Sequence, residues 1–217
     1  MANEDSFINE VSEEVRREKL FRYIRRYGWI AVLAVLILVG GAAFNEWRKA
    51  QARAEAEARG DAVLTALEAA SPEARASALS GIDGEGDAAA VLAMLAAGQA
   101  VEGGSPGAAL DRLRAIAENP EIDPVYRDLA ALKAILIEAP DLDPETQIAR
   151  LEPLTVPGAP YSLLALEATA LAHVAAGDTE AALSVLTDLM SDSAASQGLR
   201  RRASQLIVAL GGSLEAG

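Results

Sequence analysis

The chain has 217 residues, enough for one domain of ordinary size and an additional segment. Its formal net charge is −13, and of its 32 acidic and 19 basic residues, 23 acidic and nine basic ones lie in residues 60–217. An acidic surface of this kind repels phosphate backbones and argues against nucleic acid as a partner. The absence of cysteine excludes disulfides, thiol nucleophiles and cysteine-based metal sites.

Residues 1–27 predict an amphipathic helix that contains both acidic and basic residues. Apolar residues recur there mostly three or four positions apart among the charges, which is the pattern of a helix lying on a surface. These apolar residues are Ile8, Val11, Val15, Leu20, Ile24 and Tyr27.

Residues 28–47 predict a single transmembrane helix. Between Ile30 and Phe44 there is neither a charge nor a proline. A helix from Trp29 to Trp47 would be about 27 Å long, close to a hydrocarbon core of about 30 Å. Aromatic rings settle at the depth of the lipid headgroups, and the expected interface anchors are Tyr27, Trp29, Phe44 and Trp47. The alternative is a buried core helix, but such a helix is rarely apolar on every face.

A cleaved signal peptide is the alternative to a retained anchor, because Gly41-Ala42-Ala43 offers small residues to a signal peptidase. However, 28 residues precede the apolar segment, far more than the short basic region of a secretory signal. Downstream, NEWRKAQARAEAEARGDAVLTALEAA continues without proline. We therefore expect a retained anchor that continues into a long exposed helix.

Basic residues on the two sides of the apolar segment predict its orientation. Six of them precede it within eleven residues: Arg16, Arg17, Lys19, Arg22, Arg25 and Arg26. Four follow it: Arg48, Lys49, Arg53 and Arg59. The positive-inside bias favours a cytoplasmic N-terminus and an exported acidic domain.

From Asp61 onward the sequence predicts helices only, since it is rich in Ala and Leu and lacks the β-branched alternation of a strand. Helix starts are marked by a capping residue followed by proline, whose missing N–H needs no partner in the first turn. The four pairs are Ser71-Pro72, Ser105-Pro106, Asp123-Pro124 and Asp143-Pro144. The expected helices are 45–70, 72–80, 87–102, 106–118, 124–139, 144–153, 159–176, 179–190 and 195–210.

The sequence contains a helical repeat of about 36 residues. GSPGAALDRLRAIAE, from Gly104, and GDTEAALSVLTDLMS, from Gly177, lie 73 residues apart. Both read Gly, a capping residue, two further positions and then Ala-Ala-Leu-x-x-Leu. Midway between them, LDPETQIARLEPL places Ile148 and Leu151 where the flanking copies have leucines. A single hairpin cannot bury its own apolar face, so we expect neighbouring hairpins to stack.

The segment GDTEAALSVL resembles the turn and second helix of a tetratricopeptide repeat. In that repeat a Gly ends the first helix and a small residue of the second helix packs against it. The matching positions are Gly177 and Ala182 and, in the earlier copy, Gly104 and Ala109. The middle copy departs from the pattern, because Leu142 and Gln147 stand there instead.

The whole chain resembles the bacterial single-span, tetratricopeptide-like envelope proteins described as ancillary subunits of the Sec translocon. The resemblance runs from SEEVRREKLFRYIRRYGW to LEPLTVPGAPYSLLALEATALAHVAAGDTEAAL. It implies an all-α fold: a cytoplasmic segment 1–27, a single transmembrane helix 28–47 and a periplasmic tetratricopeptide-like α-solenoid of helical hairpins, 48–217. The implied location is the bacterial inner membrane, and the implied partners are the Sec translocon and a membrane-bound periplasmic chaperone.

The resemblance also implies a partner-binding groove lined by the first helix of each hairpin. On this register the groove residues are Val91, Met94, Leu164, Glu167 and Leu171.

No residue pattern points to catalysis or to a cofactor. The glycines of GIDGEGD neither follow a strand nor supply a P-loop lysine. In that segment Asp83, Glu85 and Asp87 alternate but lack the other ligands of a calcium loop, which favours a plain linker. His173 is the only histidine, so a multi-histidine metal site is excluded and packing is favoured over general-base catalysis. The basic cluster 200–202 either binds phosphate or an acidic partner, or pairs with acidic neighbours, which we favour.

We therefore expect a non-enzymatic, membrane-anchored protein-binding module, without cofactor or metal, that links Sec translocation to periplasmic chaperones. The alternative is an envelope scaffold that assembles another inner-membrane or division complex, and an enzyme comes third. Both of the first two need only a groove and an anchor, so the sequence leaves them open.

Overall fold

The computed structural model describes the backbone of residues 4–213 and the side chains of residues 25, 26, 29, 30 and 33–213. The α-helices of that range are α1 (Glu4–Leu67), α2 (Pro72–Ser80), α3 (Gly86–Glu102), α4 (Pro106–Ala117), α5 (Pro124–Glu138), α6 (Pro144–Leu151), α7 (Ser162–Ala176), α8 (Thr179–Ser191) and α9 (Gln197–Ala209). Short 3-10 helices, Ala139–Asp141 and Glu152–Leu154, follow α5 and α6. No strand occurs in the described backbone, which confirms the all-helical expectation.

The chain divides into two compact units, Met1–Gly60 and Asp61–Gly217. The expected boundary, between residues 47 and 48, falls inside the first of them. The second unit contains the end of α1 and the helices α2–α9.

The expected transmembrane helix at 28–47 is wrong. Among the described residues, no helix carries a stretch that is long and apolar enough to cross a membrane. The apolar segment of the sequence ends at Phe44. Charged residues follow from Glu46 onward.

The structure describes only some of the residues expected to anchor and orient that span. Trp29, Phe44 and Trp47 are exposed, and the rings of Phe44 and Trp47 have their centroids 5.9 Å apart. Arg25 and Arg26 are exposed as well. The remaining side chains lie outside the described residues: Tyr27, Arg16, Arg17, Lys19 and Arg22.

The long exposed helix expected after the apolar segment is confirmed as part of α1. Residues 45–67 continue the helix that begins at Glu4, in agreement with the absence of proline from this stretch. Every side chain from Leu33 to Ala58 is exposed.

Three of the four expected cap–proline pairs start a helix with a side-chain cap. The Ser71 hydroxyl accepts from the Ala74 N–H at 3.2 Å, and the Asp143 carboxylate accepts from the Thr146 N–H at 2.8 Å. Asp123 caps α5 in the same way, through the Val125 N–H. Ser105 makes no such bond, and its own N–H donates to the Ala100 carbonyl at the end of the preceding helix.

The two repeat copies share the same turn between their helices. Gly104 and Gly177 both adopt positive φ, 75° and 77°, which favours glycine because a Cβ is strained there. The next residue in each copy donates its N–H five positions back, from Ser105 to the Ala100 carbonyl and from Asp178 to the His173 carbonyl, at 2.8 and 2.9 Å. This is the Schellman arrangement that ends a helix. The sequence repeat is therefore also a repeat of backbone geometry.

Helices of unit 61–217 pack mainly on their neighbours in the chain, from α2 on α3 to α8 on α9. One buried cluster joins α2–α5, another joins α7–α9, and a third connects α5, α6 and α7. The small residues expected at the helix contacts, Ala109 and Ala182, have no exposed surface. These contacts agree with a repeat-like arrangement of helices.

The middle copy keeps the helix but not the small residue at the buried position. Gln147 occupies the position of Ala109 and Ala182, and its side chain is buried although it is polar. Leu142, in the place of the glycine, has extended backbone with φ −96°. The turn before α6 is therefore built by the 3-10 helix and the Asp143 cap instead of a positive-φ glycine.

Replacing Ala182 with Trp should destabilise the protein. Ala182 is fully buried on α8, which packs against α7, and overpacking a buried site costs about 1–3 kcal/mol. Chemical denaturation of the full chain measures the change. Ser184→Trp is the matched control, because Ser184 is exposed on the same helix; equal stability of the two variants would contradict the assigned packing.

The Asp143 cap makes the stability of α6 depend on pH. Hydrogen bonds from the backbone N–H and the hydroxyl of Thr146 lower the pKa of Asp143 below its ordinary value of 3.8. A carboxyl with a depressed folded-state pKa stabilises the fold above its ordinary pKa, and this contribution is lost as pH falls through the folded-state pKa. We expect Asp143→Asn, which keeps an acceptor but cannot ionise, to melt below the wild type at neutral pH.

That difference in melting temperature should disappear as the pH falls from neutral through the lowered folded-state pKa of Asp143, where the wild-type carboxylate becomes protonated. Thermal unfolding of both proteins across this range provides the measurement. A difference that stays constant with pH would contradict the role of the ionised cap.

Candidate functional site

An apolar pocket of about 260 Å³ lies between α3, α4 and α5. Its lining comes from one face of α3, since the contributing residues recur at helical spacing, and from facing positions of the other two helices. The lining residues are Met94, Ala97, Gly98, Val101, Leu113, Lys133, Leu136 and Ile137. We call this the α3/α5 pocket.

The character of the α3/α5 pocket suits a side chain of another protein better than a cofactor. Its volume lies below the roughly 300–1,000 Å³ of pockets that take drug-sized ligands, and such pockets also bring several polar groups together. Here the only charged group of the lining is the ammonium of Lys133, which is exposed. The lining residues Val101 and Leu136 are themselves 41% and 47% exposed, so part of the apolar lining is accessible to solvent.

Gly98 has no neighbour that requires a glycine. It lies inside α3, and a Cβ added there meets nothing within 4 Å. Gly84 is different, because its Cβ would come within 2.9 Å of the Leu92 side chain. Gly98 therefore leaves the backbone of α3 open at the edge of the α3/α5 pocket.

The expected groove residues fall into three different surroundings. Met94 is buried and lines the α3/α5 pocket, whereas Val91, one turn earlier on α3, is 40% exposed. Leu164 and Leu171 are 43% and 46% exposed on α7. Glu167, which lies between them on α7, forms an ion pair with a residue of α9. The groove itself stays a prediction.

Glu167 forms a two-pronged ion pair with Arg202. The Nε and Nη2 groups of Arg202 donate to the two carboxylate oxygens at 2.6 and 2.7 Å, and only 14% of the Glu167 side chain is exposed. Hydrogen bonding to Glu167 and its charge raise the pKa of Arg202. Arg200, next in the same basic cluster, donates to the carbonyls of Asp192 and Ser193. The cluster thus mainly holds α9 in place, as favoured over phosphate binding.

The structure also describes the surroundings of His173 and of the acidic segment that contains Asp87. His173 is partly buried, and its Nδ1 lies 3.7 Å from an oxygen of Asp178 at the turn before α8. Asp87 accepts a hydrogen bond from the N–H of Asp123, so it connects the start of α3 to the start of α5. The described residues contain no group of three or more His, Asp or Glu side chains placed to hold a metal ion.

A second pocket of about 270 Å³, between α2, α3 and α4, is a weaker candidate. Its cation, Arg112, donates to the Ala108 carbonyl at 2.8 Å and contacts the Ser80 hydroxyl. The guanidinium is therefore occupied within the protein.

Sequence reasoning missed the contribution of α5 to the site. Lys133 and Leu136 follow a helical spacing that the sequence displays, but the repeat register was fixed on the copies that begin at Gly104 and Gly177. Because Gln147 departs from the repeat pattern in the middle copy, no groove residue was predicted on α5.

No family model, curated protein or solved structure matches the chain. Its function is therefore inferred from the residues of unit 61–217.

Removing the Arg202 guanidinium should weaken the contact between α7 and α9. We expect Arg202→Ala to lower the free energy of unfolding by about 0.5–1 kcal/mol, a modest loss because Arg202 is half exposed and water and salt screen the pair. Arg201→Ala is the control, since Arg201 is exposed in the same cluster. Denaturation in low and high salt compares them, and indistinguishable variants would refute a structural role for the pair.

Proposed function

We propose that this chain is a non-enzymatic protein-binding module whose helical unit, 61–217, takes an apolar side chain of its partner into the α3/α5 pocket. The observation that carries the proposal is the combination of this pocket with exposed apolar residues beside it. Val91 and Val101 lie on α3, and Leu136 lies on α5, all three at least 40% exposed. Buried apolar contacts of this kind supply most of the affinity in protein interfaces.

The pKa values of the titratable groups favour a binding function over a catalytic one. Displaced pKa values mark catalytic groups when several such groups meet in a cleft. In the described chain the clear displacements have local structural causes: the pKa of Glu73 is lowered through Ser71 in the cap of α2, that of Asp143 is lowered in the cap of α6, and Arg202 has its ion pair. None of these residues lines the α3/α5 pocket.

The resemblance of the sequence supplies the partners to test. They are the Sec translocon and a membrane-bound periplasmic chaperone, and the chain would act as an ancillary subunit between them. The envelope scaffold, which assembles another inner-membrane or division complex, needs the same pocket and differs in the partner that occupies it.

A photo-crosslinking side chain at Val91 or Leu136 should capture translocon or chaperone subunits in bacterial cells that express the full chain. The exposed positions Asp111 on α4 and Ser184 on α8 are the controls, and we expect several-fold less capture there. Adding Leu136→Glu should abolish capture from Val91, because a charge next to the pocket opposes burial of an apolar partner.

Equal capture from the pocket and the control positions would refute the proposed binding face. Capture of division or other envelope proteins alone would favour the scaffold. The melting temperature of Leu136→Glu must match that of the wild type, and Leu136 is exposed enough for this to be expected.

A further inference from the structure

We infer that the partner segment held by the α3/α5 pocket is a helix that carries an acidic residue three or four positions from a large apolar residue, and that its backbone passes directly over Gly98. This inference rests on the proposed function and specifies the partner. It follows from the charge at the pocket, from the spacing of Lys133 and Leu136, and from the open space at Gly98.

The charge at the α3/α5 pocket is unusual for this unit. Lys133 is the only lysine in residues 61–217, where acidic residues greatly outnumber basic ones. It forms no ion pair with any described residue, whereas four arginines of the unit are paired: Arg75 with Glu102, Arg114 and Arg150 with Glu138, and Arg202 with Glu167. The ammonium of Lys133 is thus a free cation beside apolar surface, and its complement is an acidic group.

The spacing of Lys133 and Leu136 on α5 sets the distance between the acidic residue and the apolar residue of the partner. Lys133 lies three residues before Leu136 and four before Ile137, so these side chains share one face of α5. Neighbours on such a face are about 5–6 Å apart at their Cβ atoms. A partner helix that pairs an acid with Lys133 therefore places it one turn from the apolar residue in the pocket.

Gly98 indicates a close approach. A glycine inside a helix destabilises it relative to alanine, because the backbone loses more freedom on folding. No contact within the described chain explains this cost, since a Cβ at Gly98 would stand in open space. Ala97 beside it is also small and lines the same pocket. Small residues let two helix backbones approach closely, so the partner's backbone fits at this point.

Selection of helix-forming peptides from a random display library on the immobilised full chain tests the inference. The acidic surface of the chain by itself favours basic peptides. The selection therefore works against the acidic residue that we expect. We expect enrichment of Glu or Asp three or four positions from Leu, Ile, Phe or Met. Replacing that acid with Gln in a selected peptide should weaken binding by about two- to fivefold, as for an exposed ion pair, and salt should reduce the difference.

Variants at Lys133 and Gly98 test the acidic preference and the close backbone approach separately. Lys133→Gln should remove the acidic preference, and Lys133→Glu should replace it with a basic one. Gly98→Leu should weaken selected peptides at least tenfold, whereas Gly98→Ala should raise the melting temperature and weaken them less. A Cβ at Gly98 stands in open space, so Gly98→Ala is expected to fold, and the melting temperature of Gly98→Leu must match that of the wild type.

The outcomes separate the inference from the proposed function. Peptides that lose binding to Leu136→Glu but show no acidic preference would uphold the pocket and overturn the role of Lys133. Unchanged binding to Gly98→Leu would overturn the close approach. No enrichment, or peptides indifferent to Leu136→Glu, would overturn the proposed function together with the inference.

Discussion

Close contact between helices through alanine is the constraint on which unit 61–217 depends. Alanines without exposed surface occur along the whole unit, where its helices meet: Ala90, Ala96, Ala109, Ala130, Ala165, Ala170, Ala182 and Ala203. An alanine buries little apolar area, so stability requires the backbones to come close enough for the flanking leucines to pack at the density of a protein interior. The turns at Gly104 and Gly177 enforce this approach, because each reverses the chain within a few residues of a buried alanine.

The α3/α5 pocket is an exception to this close packing. Its wall on α3 is built from the same small residue types that elsewhere meet another helix, yet at Gly98 nothing faces the backbone. The charges of the unit follow the same division. Glu138 and Glu167 are paired with arginines and connect consecutive helices, whereas Lys133 is left at the edge of the pocket. The carboxylates Glu138 and Glu167 thus stabilise the fold, whereas Lys133 forms no ion pair with any described residue.

The helices of the unit could be predicted from sequence because their ends have local causes. Proline and capping residues placed the starts of α2 and α6 at the observed residues, and Gly177 placed the end of α7. The membrane span rested on apolar composition alone and was wrong, since no helix of the described residues carries a stretch long and apolar enough to cross a membrane. Ser105 shows a smaller error, since a capping residue type does not ensure that its side chain makes the bond.

The site was only partly predictable, because its decisive features join residues far apart in the chain. Met94 could be assigned from helical spacing, but the commitment of Glu167 to Arg202 depends on the packing of α9 against α8 and α7. Spacing within one helix identifies which residues share a face, and only tertiary packing decides which of those faces remain uncovered. In this unit the face of α7 that carries Glu167 is partly closed by α9, whereas the face of α5 that carries Lys133 stays open. For this reason we propose the α3/α5 pocket, instead of the centre of α7, as the place where a protein partner binds.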